Sequence, residues 1–271
     1  MIPLTTRSHF SLMWGTASVK QLVRRAAELG YERLALTDTD NLYGLWPFLA
    51  ACRRAGIRPI VGAELSDPRR PLRAVCLVQD KAGYRHLCQL ITRRHRRKGF
   101  DLLTALPRRA DGLRVLTQDP AALAAWHQAG VAVAAALPRR PRPGSHPLCR
   151  TARRLKIPLV ATPGSFFLSP GDHAFHRLLR AIDNNTALSR LDPQETAPAD
   201  AWLAAPAIYH ERFAVCPEAI ANATNIAEAL NFSGPDFGLV MPPWPSPGNA
   251  SPGKGAAAAK GSADADTQGS A

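Results

Sequence analysis

Two pairs of residues have types and spacing that could do chemistry. Asp38 and Asp40 follow a short apolar run, where paired carboxylates could hold a metal ion. The same position is typical of aspartates that N-cap a helix, and this second interpretation is the favoured one. His173 and His176 stand three residues apart, which places two imidazoles on one helix face, but no third ligand accompanies them. A metal site there is therefore disfavoured, and Asp172 could cap that helix instead.

The densest positive charge lies at residues 93–98, where a helix is predicted to end. Cations are favourable at a helix C-terminus, so a solvated helix end explains the run. The alternative is contact with phosphate groups, for which the candidates are Arg93, Arg94, Arg96, Arg97 and Lys98. Arg139–Arg142 forms a second, looser basic patch. Neither run is interleaved with aromatic residues, so the sequence gives no support for base stacking.

Alternating strand and helix patterns must position these residues. Ser18 is predicted to N-cap a helix that has an apolar face from Val19 to Leu29 and ends at Gly30. Apolar spacing predicts further helices over 42–55, 82–94, 120–127, 145–155, 173–182 and 217–230. Short apolar runs predict strands at Leu4–Thr6, Arg33–Thr37, Pro59–Gly62, Leu72–Val78, Leu113–Leu116, Val131–Ala136 and Leu159–Ala161. This alternation predicts a parallel α/β fold of about seven strands, but does not separate a closed barrel from an open sheet.

Composition and missing motifs exclude several classes of protein. The chain has 271 residues, and 34 Lys and Arg against 21 Asp and Glu give a formal net charge of +13, which favours an acidic partner such as nucleic acid. The five cysteines are scattered without metal-like spacing, as in proteins of a reducing compartment. We find no nucleotide-binding glycine motif, nucleophile elbow, secretory signal or apolar run long enough to span a membrane. A cytoplasmic location is predicted.

The last part of the sequence differs in composition from the rest. Residues 236–271 are rich in Pro, Gly, Ala and Ser, and beyond residue 242 large apolar residues are almost absent. Such a segment cannot bury enough surface to offset the entropy of ordering it. We therefore predict one domain over 1–235, including its C-terminal helices, and a disordered tail over 236–271.

Seven segments carry a more specific signal, and they lie in order along residues 2–232. They are Ser8–Ser18, Leu22–Gly44, Gly56–Glu64, Gly83–Gly99, Leu159–Thr162, His176–Ile182 and Pro217–Phe232. The second reads LVRRAAELGYERLALTDTDNLYG and the third reads GIRPIVGAE. Together they resemble the PHP domain (polymerase and histidinol phosphatase) that opens bacterial C-family DNA polymerases, most of all the error-prone branch of the polymerase III alpha subunits.

The resemblance implies a distorted (β/α)7 barrel whose strand ends hold two or three metals for phosphoester hydrolysis or 3′–5′ exonuclease work. The positions that match the family's metal ligands are Thr5, Arg7, Trp14, Thr39, Glu64, Gly164 and Phe166. Only Glu64 retains a ligand type among them, and Asp38 and Asp40 are the other candidate residual ligands. We expect no cofactor, or Zn, Mn or Mg if the site is functional. Because Arg7 would bring a fixed cation into the vacated pocket, we predict that it pairs with Glu64.

Three functions compete at this stage. The first is a structural or docking module, without metal and without enzyme activity, linked to DNA replication or error-prone repair through DNA or a polymerase assembly. The second is a residual metal-dependent phosphoesterase or exonuclease that uses Glu64, Asp38 and Asp40. The third is a basic accessory protein that binds nucleic acid. The palm, thumb and fingers domains that follow the PHP module in the family have no counterpart here, so the chain alone is not expected to polymerise DNA. A truncated gene, a piece of a longer protein and a free-standing module are all compatible with the sequence.

Overall fold

A computed structural model of the chain describes residues 1–138 and 147–236. Its helices are α1 (Val19–Glu28), α2 (Leu45–Ala55), α3 (Lys81–Arg96), α4 (Leu102–Ala105), α5 (Pro120–Gln128), α6 (Pro147–Arg154), α7 (His173–Asp183), α8 (Pro206–Arg212) and α9 (Pro217–Ala229). Its strands are β1 (Arg33–Leu36), β2 (Arg58–Ser66), β3 (Arg73–Val78), β4 (Leu113–Thr117), β5 (Val133–Leu137) and β6 (Leu159–Ala161). The predicted basic patch at Arg139–Arg142 and the predicted tail from residue 237 onward lie outside the described residues.

The six strands form one sheet in chain order, and the α/β class is confirmed. β1 and β2 are parallel, as are β4 with β5 and β5 with β6. The prediction of a wholly parallel sheet is wrong at β3, which runs antiparallel to both of its neighbours. The reason is the short connection 67–72, because a parallel crossover needs about a dozen residues or more and so short a link can only form a hairpin. The count of seven strands is not confirmed in the described residues.

The predicted opening strand at Leu4–Thr6 is replaced by a single parallel bridge between Thr6 and Ser165. Thr6 also accepts a backbone hydrogen bond of 2.8 Å from Thr37, the residue after β1. The opening segment therefore joins β1 to the chain that follows β6, and links the two outer edges of the curled sheet. It is too short to form a ladder, but it brings residues 5–7 to the ends of the strands.

Local capping determines where several helices begin and end. Ser18 caps α1 as predicted, in a reciprocal arrangement with Gln21, and Gly30 follows with a left-handed φ of 76°. α2 begins three residues later than Leu42, the predicted start, because Asn41 forms a turn whose side chain accepts a hydrogen bond from the Tyr43 amide at 3.1 Å. α3, α5, α7 and α9 lie close to their predicted ranges.

The two faces of the sheet are covered differently. Helices α1, α2, α3, α5 and α6 pack on one face and form the larger apolar core. On the other face α9 contributes Ala223 and Ala227 to a cluster with Ile60 and Val75. These small alanines allow α9 to lie close to the strands, and buried Arg33 donates to the Ala227 carbonyl at 2.9 Å, where the negative end of the helix dipole favours a cation.

Candidate functional site: an ion-pair pocket at the strand ends

The inner face of the sheet changes from apolar to polar along its length. Ile60 lies near the start of β2 in the layer that α9 covers, whereas Glu64 lies four residues further along on the same face. A pocket of about 610 Å³ opens at this second end. Five of the seven predicted ligand positions line it, and they are Thr5, Arg7, Glu64, Gly164 and Phe166. The fold therefore brings together residues up to 161 positions apart in the sequence, between Thr5 and Phe166.

The predicted ion pair between Arg7 and Glu64 is present and buried. Arg7 Nη2 donates to Glu64 Oε2, and the Arg7 guanidinium lies 4.4 Å from the centre of the Phe166 ring. A second cation was not predicted from the sequence. Arg73 Nη1 donates to Glu64 Oε1 at 2.6 Å, so each oxygen of the carboxylate binds one guanidinium.

Arg73 reaches Glu64 because of the hairpin between β2 and β3. The register pairs Ser66 with Arg73 and Glu64 with Val75, so Arg73 stands diagonally across from the carboxylate. This diagonal distance is within reach of a long side chain. The short connection 67–72 is the sequence feature that could have predicted this contact, because a hairpin at 67–72 places Arg73 beside Glu64.

The electrostatic balance at Glu64 favours the ionised form. Burial by itself would raise the pKa of this carboxyl, but the charges and hydrogen bonds of Arg7 and Arg73 outweigh burial and lower the pKa. The carboxylate is therefore held as an anion between two cations. A buried ion pair of this kind becomes costly when one partner is removed.

The other two predicted ligand positions pack against the pocket rather than lining it. Thr39 forms an isolated bridge with Glu64, and its hydroxyl donates to Glu64 Oε1 at 3.4 Å. The Trp14 ring centre lies 5.6 Å from that of Phe166, and the guanidinium of Arg180 lies 4.0 Å from the Trp14 ring centre. At these two predicted positions, the side chains make a hydroxyl contact and an aromatic stack.

Asp38 does not cap a helix, so the favoured prediction for it is wrong. Its Oδ1 accepts hydrogen bonds of 2.7 Å from the Ser8 amide and from the Ser11 hydroxyl. Its Oδ2 accepts a bond of 2.8 Å from the Ser8 hydroxyl. The N-cap of α2 is instead Gly44, which has no side-chain cap, because the chain turns at residues 39–44 before the helix starts. Asp38 thus fixes the loop that follows the opening segment.

Asp40 also serves the local structure, and the capping prediction is wrong for it too. Its Oδ1 accepts a bond of 2.8 Å from the Ser66 amide, and its Oδ2 lies 3.4 Å from Arg94 Nη2. Arg94 further donates through Nε to the Ser66 carbonyl at 2.7 Å. Of the basic run at 93–98, Arg94 is therefore bound into the fold, whereas Arg96, Arg97 and Lys98 are exposed.

His173 and His176 hold the chain near residue 197 rather than a metal. His176 is fully buried, with Nδ1 placed 2.8 Å from the Trp14 carbonyl and Nε2 accepting from the Ala197 amide at 2.8 Å. Burial lowers the pKa of His176, which keeps the imidazole neutral. His173 Nε2 lies 3.2 Å from the Ala197 carbonyl. Asp172 accepts from Ser169 and makes no side-chain cap to α7.

The residues at the pocket do not fit a two-metal centre. Within the described ranges, no three His, Cys, Asp or Glu side chains come together in a way that could hold a metal ion. Both Glu64 oxygens already bind guanidinium groups, and the Thr5 hydroxyl donates to the Pro163 carbonyl at 3.2 Å. A divalent ion would have to enter beside two fixed cations with a single carboxylate to bind it.

Sequence comparison shows which proteins this chain resembles. The PHP domain model matches residues 3–134 of the chain. Its relatives are bacterial replicative and error-prone DNA polymerases. It is 29% identical to the DNA polymerase III subunit alpha of Neisseria meningitidis over 91% of this chain, and 32% identical to the error-prone DNA polymerase of Anaeromyxobacter dehalogenans over 84%. The chain spans about a quarter of the length of these relatives, 25% and 22% respectively.

A solved structure of an amidohydrolase from Chromobacterium violaceum resembles the fold more distantly. Its TM-score is 0.45 at 18% identity, covering 63% of this chain and 88% of that one. In the part of the chain that the structure describes, no helix is both long enough and apolar enough to cross a membrane.

Proposed function

We propose that this chain is a metal-free PHP module of the DNA polymerase III alpha type, with a structural or docking role in DNA replication or error-prone repair. The observation that carries the proposal is the ion-pair network of Arg7, Glu64 and Arg73 in the pocket where the family's pattern has metal ligands. The polymerases to which the chain is related give the setting.

The network gives the pocket a structural task that does not need a metal. Arg7 comes from the opening segment, Glu64 from β2 and Arg73 from β3, while Phe166 follows β6 and stacks on Arg7. Four separate segments thus meet at one carboxylate. The network does what a metal centre would do for the fold, because it ties the strand ends together by charge.

A residual phosphoesterase is less well supported by the same contacts. It would use Glu64, Asp38 and Asp40 as ligands, yet each of these carboxylates already accepts hydrogen bonds or ion pairs from the chain. Freeing them would leave Arg7 and the Ser8 amide without their partners. This cost opposes assembly of a metal site from these residues.

A docking role requires an exposed apolar surface, and α7 supplies one. Phe175, Leu178 and Ile182 are spaced along one side of α7 and are 51%, 46% and 56% exposed, and Leu188 follows at 43%. A groove of about 500 Å³ lies beside Leu178, Ile182 and Leu188. We call these four residues the α7 surface. Its proposed occupant is the polymerase portion of such a relative, since this chain spans only about a quarter of the relatives' length.

The experiment that tests the metal-free proposal is elemental analysis of the purified, tag-free protein, followed by titration with Mn²⁺ and Zn²⁺. Phosphoester and 3′-exonuclease assays accompany each addition. We expect less than a tenth of a metal ion per chain and no turnover. Stoichiometric metal, together with hydrolysis that is lost in Glu64→Ala, would overturn the proposal and show that the site has been rebuilt.

A further inference from the structure

Four arginines from two separate segments form a cluster on the surface. Arg93 and Arg97 lie at the end of α3, and Arg108 and Arg109 belong to the 3₁₀ turn Pro107–Arg109. We call these four residues the arginine patch. The sequence indicated only the first two, because Arg108 and Arg109 are separated from the run at 93–98 by α4.

Specific contacts bring the two segments together. Arg109 Nε donates to Gln89 Oε1 at 3.0 Å, and Gln89 lies one helical turn before Arg93 on α3. His86 Nδ1 lies 2.9 Å from the Asp111 carbonyl, which holds the chain beyond the turn against the same helix. The 3₁₀ turn is thereby held along α3, near enough for the charges of Arg108 and Arg109 to act on Arg93.

The patch arginines lack the acidic partners that several other arginines of the chain have. Arg7, Arg70 and Arg94 each pair with a carboxylate. None of the four patch arginines forms an ion pair with any residue in the described ranges, and neither do the adjoining Arg96 and Lys98. Partial desolvation and the neighbouring charges of Arg109, Arg97 and Arg108 all lower the pKa of Arg93. The folded chain therefore places like charges together without neutralising them.

The helix dipole explains only part of this arrangement. Cations at the end of α3 interact favourably with its terminal carbonyl groups, which accounts for Arg93 and Arg97. Arg108 and Arg109 come from another segment, and their approach adds repulsion that a helix end does not require. An anion bound across the patch would relieve that repulsion, because guanidinium groups donate paired hydrogen bonds to phosphate oxygens.

We propose that the arginine patch binds the phosphate backbone of nucleic acid. The proposed contacts are to phosphate oxygens, which carry no sequence information, so we expect binding to depend little on base sequence. The choice of nucleic acid over another polyanion rests on the proposed function, in which the chain works beside a DNA polymerase. The site lies on α3 and the following turn and does not use the pocket residues.

The test measures binding of a fluorescently labelled 20-base-pair DNA by anisotropy, in EDTA, between 50 and 200 mM salt. Contact with four phosphates gives a slope of log affinity against log salt of about −3.6, which is a loss of roughly 150-fold over this range. The variant Arg93→Gln/Arg108→Gln is expected to reduce the slope by about 2 and to weaken binding at least tenfold at 50 mM. Its unfolding midpoint is expected to stay unchanged or rise.

The matched control removes the same charge elsewhere. Arg24→Gln/Arg190→Gln alters exposed arginines on α1 and in the turn Leu188–Arg190, and it should keep the affinity within about threefold. Equal weakening in both double variants would overturn the proposal, since it would indicate a diffuse effect of net charge. Binding of poly-glutamate in preference to DNA would overturn it in favour of an acidic protein partner.

The use of EDTA separates this proposal from the metal-free one. If DNA binds through the patch while the protein also proves to be a metal-dependent hydrolase, only the proposed function fails. If the protein binds neither metal nor DNA, only the arginine patch proposal fails.

Discussion

At the scale of single residues, the chemistry of the pocket depends on what Glu64 binds. A carboxylate at a strand end is a good metal ligand when it stands among histidines and other carboxylates. Here it stands between two guanidinium groups, and its anionic form is stabilised by charges that belong to the chain. The role of such a carboxylate therefore depends on which groups surround it.

A double-mutant cycle measures how strongly the buried pair depends on both partners. Arg7→Met leaves Glu64 buried with only the half-exposed Arg73, and we expect it to lower the free energy of unfolding by about 3 kcal/mol. Glu64→Met leaves Arg7 buried without its carboxylate partner and should lower the free energy of unfolding by a similar amount. The double variant Arg7→Met/Glu64→Met should cost at least about 1 kcal/mol less than the sum, as measured by urea unfolding followed by circular dichroism.

The exposed pair of Arg24 and Glu28, 3.7 Å apart on α1, is the control for this cycle. The same replacements there should change stability by less than about 1 kcal/mol and show little coupling. Additive costs at Arg7 and Glu64 would contradict the description of the pocket as a coupled ion pair.

At the scale of elements, α7 and the pocket wall are held together by His176. Its Nδ1 lies against the Trp14 carbonyl and its Nε2 accepts from the Ala197 amide, so both ring nitrogens are used in the neutral form. Protonation would set a new N–H against the Ala197 amide. α7 is therefore attached by contacts that require an uncharged imidazole.

The attachment predicts a pH dependence of stability. Burial lowers the pKa of His176 in the folded protein relative to the ordinary value of about 6.5, so the unfolded chain binds the proton more readily. The contribution of neutral His176 to the free energy of unfolding is therefore present in full above a pH of about 6.5. It is lost as the pH falls, at up to about 1.4 kcal/mol per pH unit. His176→Gln should flatten the decline in urea midpoint between pH 7 and 5.

His127, which is exposed on α5, provides the matched substitution. His127→Gln should retain the decline in midpoint seen in the unaltered protein. If His176→Gln declined as steeply as the control, the neutral imidazole would not be what attaches α7.

At the scale of the whole molecule, the proposed function gives the chain a structural end, a docking side and a charged side. The pocket with its ion pairs lies at the strand ends, the α7 surface is apolar, and the arginine patch lies on α3 and the turn after α4. A module that serves a larger assembly needs such surfaces more than it needs a reactive centre. The homologous polymerases supply the larger assembly in the proposed function.

Docking through the α7 surface is tested by weakening its apolar character. Phe175→Ser/Ile182→Ser should reduce binding to the polymerase portion of a related error-prone enzyme, prepared without its own PHP domain, at least tenfold by calorimetry. Leu12→Ser/Val215→Ser changes two other exposed apolar residues, 72% and 61% exposed, and should leave the affinity unchanged. Loss of self-association instead of polymerase binding would identify a second copy of the chain as the occupant.

Patterns within one segment were sufficient for much of the fold and for the family. Ser18 with Gln21 and Gly30 defines both ends of α1 through neighbouring residues, so spacing alone predicts that helix. The ordered segments between residues 8 and 232 indicated the PHP family, and five of the positions then matched to the family's ligands line the pocket. The pairing of Arg7 with Glu64 followed from their charges once both positions were assigned to one site.

Contacts between distant segments had to be seen in the folded chain. The direction of β3, the approach of Arg73 to Glu64 and the attachment of Asp38 to the loop at Ser8 each depend on which partner is nearest in space. Arg108 and Arg109 join Arg93 for the same reason. Hydrogen bonds and charges act over a few ångströms, and sequence spacing does not fix such distances across turns and strands. The sequence by itself thus determined the resemblance to the PHP family and the charge pairing of Arg7 with Glu64, and the tertiary structure decided that Arg73 binds the same carboxylate.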